Sequence, residues 1–494
     1  MNIVNIMNFV RGVSRYPDLD LVTPVKKELE LCQKYGYKNT FLMQYDAMIR
    51  KEFVDIIKSA DEKTEVGVWV EIGRQLIDKV GLKWEGSKEC DWDWHVNPGF
   101  LPAYTHKERE LIIDEIMNCF KDVFGYYPKS VGSWVLDAYS IEYMQKKYDI
   151  AAFGICREQY GVDAYTLIGT YYNQAYYPSK RNNICPAQTK ENQINAPVFK
   201  LLGPDPVYNY GVTSMYRDSF DSPPTIEPAW ETGQDRKNVE WFFDSYFHNE
   251  SMAFSYIQLG QENPFGWERI KKGLPMQFEI LKKYVDNNEC TIMTMGESGE
   301  WFKKNFDETP ATTLGAKNII GNDINESQWY SCKNYRINFV SEDDSFYIRD
   351  IYKFDENFTE NYYDTPCKEW KIMYTNLPVM DGFLWRRDES GRAGIYFDGK
   401  YKKMKCYKKE SDFVIDIDFE YYRASVVMTE ETITINTSRP IRFVINDKIK
   451  IDFEEHKLCY ENYGMKYSVP LSGSCSSDGI ITPCDGKIEL LMNR

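Results

Sequence analysis

The strongest constraint on the fold is the alternation of short apolar runs with longer amphipathic segments over the first three fifths of the chain. The strand-like runs lie at 2–10, 39–45, 65–72, 130–136, 150–155, 196–202, 252–259 and 290–295. Helical segments separate them, and Thr105 with Glu108 forms a capping-box pattern before the segment 106–124. Strands that alternate with helices pair in parallel through right-handed crossovers. The pattern therefore predicts an α/β fold, a distorted parallel (β/α)7-8 barrel.

The alternative architecture is an open doubly wound sheet, but no glycine-rich phosphate-binding motif follows any strand. Near residue 310 the pattern changes, and short β-type runs such as YRINFV, SFYIRDIY and ETITIN dominate. We therefore predict a catalytic barrel over 1–310 and an antiparallel β-sandwich domain over 311–494. The segment 170–235 is poorly periodic and rich in Tyr, Pro and Asn, which predicts a long loop excursion over the barrel mouth.

Composition restricts the partners of such a chain. The formal net charge is −15, which disfavours nucleic acid and anionic membrane surfaces as partners. No apolar run is long enough to span a membrane. The 12 cysteines are scattered without a CxxC pair, and no secretory leader is visible, so we expect reduced thiols and a cytoplasmic location. With four histidines and no ligand spacing, neither a metal site nor a cofactor is expected, and the oligomeric state stays open.

Four carboxylates directly follow apolar strands, where a β/α barrel places its reacting groups. They are Glu71, Asp137, Glu262 and Glu297. Paired carboxylates that face one cleft are the equipment of glycoside hydrolysis, because one protonates the leaving oxygen and the other attacks the sugar or activates water. We predict that Asp137, Glu262 and Glu71 are catalytic. The alternative is that such carboxylates cap helices or pair with arginine.

Other polar and aromatic side chains at strand ends are predicted to bind substrate. Aromatic rings offer flat apolar faces to the C–H faces of sugars, although they also fill cores. The predicted substrate-binding residues are Asn8, Arg11, Gln44, Asp46, Trp69, Trp92, Trp94, His95, Trp134, Arg157, Glu158, Gln258, Trp267 and Glu297.

Four segments resemble the strand-end motifs of family 57 glycoside hydrolases and of the wider group that shares their seven-stranded barrel, which includes family 38 mannosidases and polysaccharide deacetylases. The segments are 132–139 (GSWVLDAY), 67–72 (GVWVEI), 260–267 (GQENPFGW) and 293–297 (MTMGE), within residues 1–305. The resemblance implies the barrel and a carbohydrate substrate. It also implies a nucleophile at Asp137, and it places Glu71 in a substrate-binding segment and Glu262 in the acid/base segment.

The sequence departs from this family at three places. Asp137 stands where the family has a glutamate, and Gly260 stands where it has the acid/base aspartate, so that Glu262 or Gln258 would take that role. The opening His-x-Pro-His motif is replaced by 8–11 (NFVR). The leading hypothesis is a metal-independent glycoside hydrolase. The alternatives are a carbohydrate esterase of the deacetylase type, which lacks its His-x-x-x-His pair here, and an inactive sugar-binding barrel.

Overall fold

The computed structural model describes residues 1–93, 96–211, 225–321, 324–385, 392–446 and 448–493. Trp94 and His95, both predicted to bind substrate, lie outside the described residues. The strands before residue 310 are β1 (Asn2–Val10), β2 (Asn39–Met43), β3 (Thr64–Trp69), β4 (Ser130–Gly132), β5 (Ala152–Cys156), β6 (Gln159–Val162), β7 (Tyr165–Leu167), β8 (Ala175–Tyr176), β9 (Val198–Leu201), β10 (Ser255–Leu259) and β11 (Thr291–Met293).

The α-helices also belong to this part of the chain. They are α1 (Val22–Tyr35), α2 (Tyr45–Met48), α3 (Lys51–Lys58), α4 (Arg74–Lys79), α5 (His106–Phe124), α6 (Ala138–Tyr148), α7 (Arg236–Phe247), α8 (Trp267–Ile270), α9 (Gly273–Asp286) and α10 (Met295–Asn305). The predicted capping box at the start of α5 is confirmed. The Thr105 side chain accepts the backbone N–H of Glu108, and the Glu108 side chain accepts the backbone N–H of Thr105.

Seven parallel strands form a nearly closed, barrel-like sheet in the order β10-β1-β2-β3-β4-β5-β9. The predicted parallel β/α architecture is therefore confirmed. The strand β8 extends the sheet antiparallel to β9, and β11 pairs with β1 at Ile3–Asn5. No ladder joins β9 to β10 within the described ranges. Instead the backbone amide of Leu202 donates to Gln258 Oε1 at 2.8 Å, which bridges the two strands.

The chain after residue 310 forms antiparallel sheets, as predicted. Its strands are β12 (Thr312–Lys317), β13 (Ile324–Ser331), β14 (Tyr335–Glu342), β15 (Ser345–Lys353), β16 (Ile372–Tyr374), β17 (Leu377–Asp381), β18 (Gly394–Phe397), β19 (Tyr401–Lys409), β20 (Asp412–Phe419), β21 (Arg423–Met428), β22 (Thr432–Asn436), β23 (Ile441–Val444), β24 (Asp452–Glu454), β25 (Lys457–Asn462), β26 (Met465–Ser472), β27 (Ser474–Cys475), β28 (Ile480–Thr482) and β29 (Lys487–Leu491).

Two sheets share one apolar core in this part. One has the order β12-β13-β14-β15-β18-β23-β28-β27, with β17 beside β15, and the other has the order β19-β20-β21-β22-β29-β26-β25-β24. Inward side chains from both, such as Phe339, Ile348, Phe413 and Ile435, are fully buried in the same cluster. These sheets enclose a core because their strands alternate buried and exposed residues.

One strand pairing connects the part of the chain after residue 310 to the part before it. The strand β16 pairs in parallel with β7, next to the barrel, so residues beyond 310 return to the barrel mouth. The segment 170–235 contains β9, which is a strand of the barrel sheet, so the predicted excursion is interrupted by a core element. The division at residues 310 and 311 therefore stays a prediction. No helix within the described ranges is both long and apolar enough to cross a membrane.

Candidate functional site

A buried arginine joins the carboxyl ends of three barrel strands. Arg11 follows β1, and its Nε and Nη2 atoms donate to Glu71, just beyond β3, at 2.7 and 3.1 Å. Its Nη1 atom contacts Glu262, just beyond β10. We call Arg11, Glu71 and Glu262 the Arg11 centre. Glu71 also accepts a 2.9 Å bond from Trp69 Nε1, so this carboxylate is held from two sides.

The backbone around the Arg11 centre is fixed by one asparagine. Asn263 accepts the Arg11 backbone amide at 2.8 Å and donates to the carbonyl oxygens of Arg11 and Leu21 at 2.9 and 2.8 Å. Its amide therefore fastens the end of β1 to the end of β10. Glu262 directly precedes Asn263, so these hydrogen bonds also fix the backbone that carries the Glu262 side chain.

The Glu262 carboxyl is in a state that suits a proton donor. Burial raises its pKa to about 8, Arg11 opposes the shift, and the charges of Glu227, Glu71 and Asp163 add to it. Beyond the Arg11 contact, no hydrogen bond holds this carboxyl among the described residues. At neutral pH Glu262 is therefore mostly protonated and has bonding capacity left for a ligand.

Glu227 is a further carboxylate at the barrel mouth, and sequence reasoning missed it. It is partly buried, and its two oxygens accept bonds from Gln261 Nε2 at 3.3 Å and from Thr225 Oγ1 at 3.2 Å. Burial raises its pKa, while the charge of Arg157 and these two hydrogen bonds lower it. Glu227 lies near the end of the segment 170–235, and no apolar strand-like run directly precedes it in the sequence, so no strand-end signal marked it.

Gln44 and Asp46 lie on the flank of the same centre. Gln44 Nε2 donates to the carbonyl oxygen of Glu71 at 3.2 Å. Asp46 is 1% exposed, and neither of its carboxyl oxygens has a side-chain hydrogen-bond partner among the residues that the structure describes. Burial raises the pKa of Asp46 to about 7. Gly73 makes room for it, because a Cβ there would lie 2.8 Å from Asp46 Oδ2.

Four of the five tryptophans predicted to bind substrate lie in the described ranges, and they are buried or partly buried. Trp69 and Trp134 are buried in a T-shaped pair with centroids 4.7 Å apart, and both pack against Phe9. Trp92 is also buried, and the Arg11 guanidinium lies 4.5 Å from its ring centroid. Trp267 is partly buried at the start of α8. Trp69, Trp134 and Trp92 are therefore core side chains, packed against Phe9 or against the Arg11 guanidinium.

The side chain of Asp137 caps a helix and pairs with an arginine. Its side chain is fully buried and accepts bonds from Arg109 Nη1 at 2.8 Å, from the Ser140 amide at 2.9 Å and from Ser140 Oγ at 2.7 Å. It is the N-cap of α6. Both carboxylate oxygens are therefore occupied by protein donors.

Glu297 lies away from the barrel mouth. The strand β11 ends at Met293, opposite Asn5, whereas β1 continues for five more residues to Val10. At about 3.3 Å per residue the end of β11 falls about 20 Å short of the edge where Arg11 lies. Glu297 completes the capping box of α10 and pairs with Lys38 at 2.5 Å on the surface.

Glu158 belongs to a second buried cluster, which we call the Arg336 centre: Arg336, Asp350 and Glu158. Arg336 donates to Asp350 through Nε and Nη2 at 2.9 and 2.8 Å and contacts Glu158 through Nη1. Glu158 also accepts the Thr170 amide at 2.7 Å and Asn209 Nδ2 at 2.6 Å. This centre joins the barrel to β14 and β15.

The remaining predicted residues have the following contacts. Arg157 is buried beside Glu227, whose pKa its charge lowers. Asn8 Oδ1 accepts the backbone amide of Gln261 at 3.3 Å, and Gln258 bridges β9 and β10 as described above. Within the described ranges, no group of three or more His, Cys, Asp and Glu side chains is arranged to hold a metal ion.

Comparisons with known proteins bear on the fold. A family model, a domain of unknown function (DUF3863), matches residues 87–314. The chain is similar to the solved structure of a candidate glycoside hydrolase/deacetylase from Parabacteroides distasonis, with 16% identity over 76% of this chain and 89% of that one and a TM-score of 0.56. A search of curated proteins found no match.

Two further structures match less well. They are a GH57-type branching enzyme from Pyrococcus horikoshii (11% identity, 61% of this chain and 70% of that one, TM-score 0.33) and a 4-alpha-glucanotransferase from Thermococcus litoralis (9% identity, 99% and 97%, TM-score 0.32). The Parabacteroides structure shows the fold that the chain shares. The remote resemblance indicated by the strand-end motifs is thus confirmed at the level of the fold.

Proposed function

We propose that the protein is a glycoside hydrolase in which Glu262 is the general acid and Glu227 is the second carboxylate. The observation that carries the proposal is the setting of Glu262, a buried carboxyl just beyond a barrel strand that contacts Arg11 and has no other hydrogen-bond donor among the described residues, so that burial raises its pKa. A protonated carboxyl at neutral pH can protonate a leaving glycosidic oxygen. The shared fold with a candidate glycoside hydrolase/deacetylase supports a carbohydrate substrate. The predicted cytoplasmic location is retained as part of the proposal.

In the proposed reaction the two carboxyl groups act in two steps, through an ester between the sugar and Glu227. The Glu227 carboxylate attacks the anomeric carbon and forms an ester, while the bond to the glycosidic oxygen breaks and that oxygen takes the proton of Glu262. In the second step water attacks the same carbon. It gives one proton to the Glu262 carboxylate, and the Glu227 carboxylate leaves. Both groups thereby return to their starting states.

The other charged groups position this pair. As Glu262 loses its proton, the contact with Arg11 stabilises the carboxylate that forms. Glu71 binds Arg11 through two oxygens and keeps its guanidinium in place. Asp137, to which the family resemblance assigns the nucleophile, has both oxygens bound by Arg109 and Ser140, so our proposal gives that role to Glu227.

The test uses the purified protein on a panel of aryl glycosides, oligosaccharides and acetylated sugars. We expect glycoside turnover, and we expect Glu262→Gln to lower kcat/KM about a thousandfold for a poor leaving group. The loss should be much smaller for a dinitrophenyl glycoside, because that leaving group needs no protonation. Glu300→Gln, an exposed carboxylate on α10, is the matched control.

The second carboxylate has its own signature. Glu227→Ala should be nearly inactive and should regain activity with azide, giving a glycosyl azide, since azide replaces the missing nucleophile. Full activity of Glu262→Gln, or of Glu227→Ala without azide, would contradict the assignment. Release of acetate without any glycoside turnover would favour the carbohydrate esterase alternative.

A further inference from the structure

The barrel mouth carries, next to Glu227 and Glu262, an exposed aromatic surface that sequence reasoning did not single out. Trp230 is 45% exposed, and its ring meets the ring of Phe265 in a T-shaped contact with centroids 5.5 Å apart. The exposed guanidinium of Arg269 lies 4.6 Å from the Trp230 centroid and 5.0 Å from the Phe265 centroid. We call Trp230, Phe265 and Arg269 the rim platform.

Short turns connect the rim platform to both proposed catalytic carboxylates. The amide of Trp230 donates to the carbonyl oxygen of Glu227 at 3.0 Å, and the amide of Phe265 donates to that of Glu262 at 3.4 Å. Each aromatic ring is therefore three residues and one turn away from a carboxylate. The platform consequently lies next to the backbone segments that carry Glu227 and Glu262.

The platform is also held rigidly, although it faces solvent. Gln234 Nε2 donates to the carbonyl oxygens of Pro228 and Arg269 at 3.1 and 2.9 Å, which ties the turn that carries Trp230 to the turn that carries Arg269. Gly273 lies against Pro228, where a Cβ would come within 2.4 Å of the Pro228 carbonyl oxygen. An exposed indole that is fixed before a ligand arrives loses little conformational entropy on binding.

We propose that the rim platform binds a second sugar unit, so that the substrate is an oligosaccharide or polysaccharide chain. This inference rests on the proposed function, because it places the unit next to the bond that Glu262 and Glu227 cleave. The indole presents an apolar face to the C–H face of a pyranose ring. The guanidinium adds hydrogen-bond donors for the ring hydroxyls at the same place.

The test measures binding and needs no turnover. In the Glu262→Gln background, linear gluco-, manno- and xylo-oligosaccharides of one to six units are titrated by calorimetry. For at least one series we expect affinity to rise between one unit and longer chains. Trp230→Ala should lower the affinity for the longer chains about tenfold or more and leave the affinity for one unit unchanged.

Matched variants make the result specific. Tyr421→Ala removes an aromatic ring that is 81% exposed on the C-terminal sheets and should change no affinity. Trp230→Phe keeps an apolar ring and should retain part of the gain with length, which guards against an effect of misfolding in Trp230→Ala. Equal affinities for Trp230→Ala and its background at every length, or no binding of any probe, would overturn the platform. Length-dependent binding without any turnover in the unsubstituted protein would keep the platform and overturn the hydrolase.

Discussion

The Arg11 centre and the Arg336 centre pair an arginine with two carboxylates in the same way, but they differ in the number of hydrogen bonds that the second carboxylate accepts. In each, a buried arginine binds one carboxylate through Nε and Nη2 and contacts a second through Nη1. In the Arg336 centre the second carboxylate, Glu158, also accepts bonds from Thr170 and Asn209. In the Arg11 centre the second carboxylate, Glu262, has no such donors within the described ranges.

This difference is the basis on which our proposal assigns a catalytic role to Glu262 and not to the carboxylates of the Arg336 centre. Burial raises the pKa of Asp350 to about 7, much as it raises that of Glu262 to about 8, so burial alone does not mark a reactive group. Asp350 nevertheless has both oxygens bound by Arg336. The two centres differ instead in how many protein donors hold the second carboxylate, and Glu262 has only its contact with Arg11 among the described residues.

The largest effect should come from removing each arginine in turn. Arg336→Met leaves Asp350 and Glu158 buried without their cation, and we expect it to lower the free energy of unfolding by about 3–5 kcal/mol at pH 7. Arg11→Met should cost roughly half as much, because Glu262 is already mostly neutral and only Glu71 loses a charged partner. Chemical denaturation at pH 7 measures both. Equal losses would mean that Glu262 is ionised in the folded protein.

The sequence predicted the parallel strands well, since most are short apolar runs between helical segments, although β9 follows β5 without a helix between them in the described structure. It also located Arg11, Glu71 and Glu262, which follow such runs directly. The same rule included Asp137 and Glu297, although both cap helices. For Glu297 the sequence holds a warning, because Thr294 and Glu297 have the spacing of a capping box.

Other parts of the site depend on contacts between distant residues and leave no local pattern. Glu227 reaches the mouth through hydrogen bonds to Thr225 and to Gln261, and the second of these spans 34 positions. The partner of Glu158 is Arg336, which lies 178 positions later. Side chains paired in this way are fixed by tertiary packing, so periodicity and spacing cannot place them.

A smaller effect should come from Asp46, whose buried carboxyl lies near the Arg11 centre and has no side-chain partner in the described part of the chain. Its pKa is raised from the ordinary value of 3.8 to about 7 in the folded protein. The folded state therefore holds the proton more tightly, and stability falls as the pH rises from 4 to 7. We expect Asp46→Asn to remove this penalty and raise the free energy of unfolding by about 2 kcal/mol at pH 8.

The pH dependence makes the Asp46 prediction specific. At pH 4 the carboxyl is protonated in the folded protein and largely protonated in the unfolded chain, so the gain of Asp46→Asn should nearly vanish. Thermal unfolding at pH 4, 6 and 8 measures this trend. Glu300→Gln, on the surface of α10, should stay within about 0.5 kcal/mol throughout. A gain that does not change with pH would assign the effect to packing instead of charge.

The smallest effect, and the finest test of the comparison, concerns the charges around Glu262. The Glu71 charge raises the pKa of Glu262, and the Arg11 charge lowers it. The alkaline limb of kcat/KM against pH should therefore lie near pH 8, with activity lost as Glu262 loses its proton. In Glu71→Gln the limb should move to lower pH by about one unit, because Arg11 then acts on Glu262 alone. In Arg11→Met it should move to higher pH. Limbs that coincide in both variants would show that another group sets the alkaline limb and that Glu262 is not the acid.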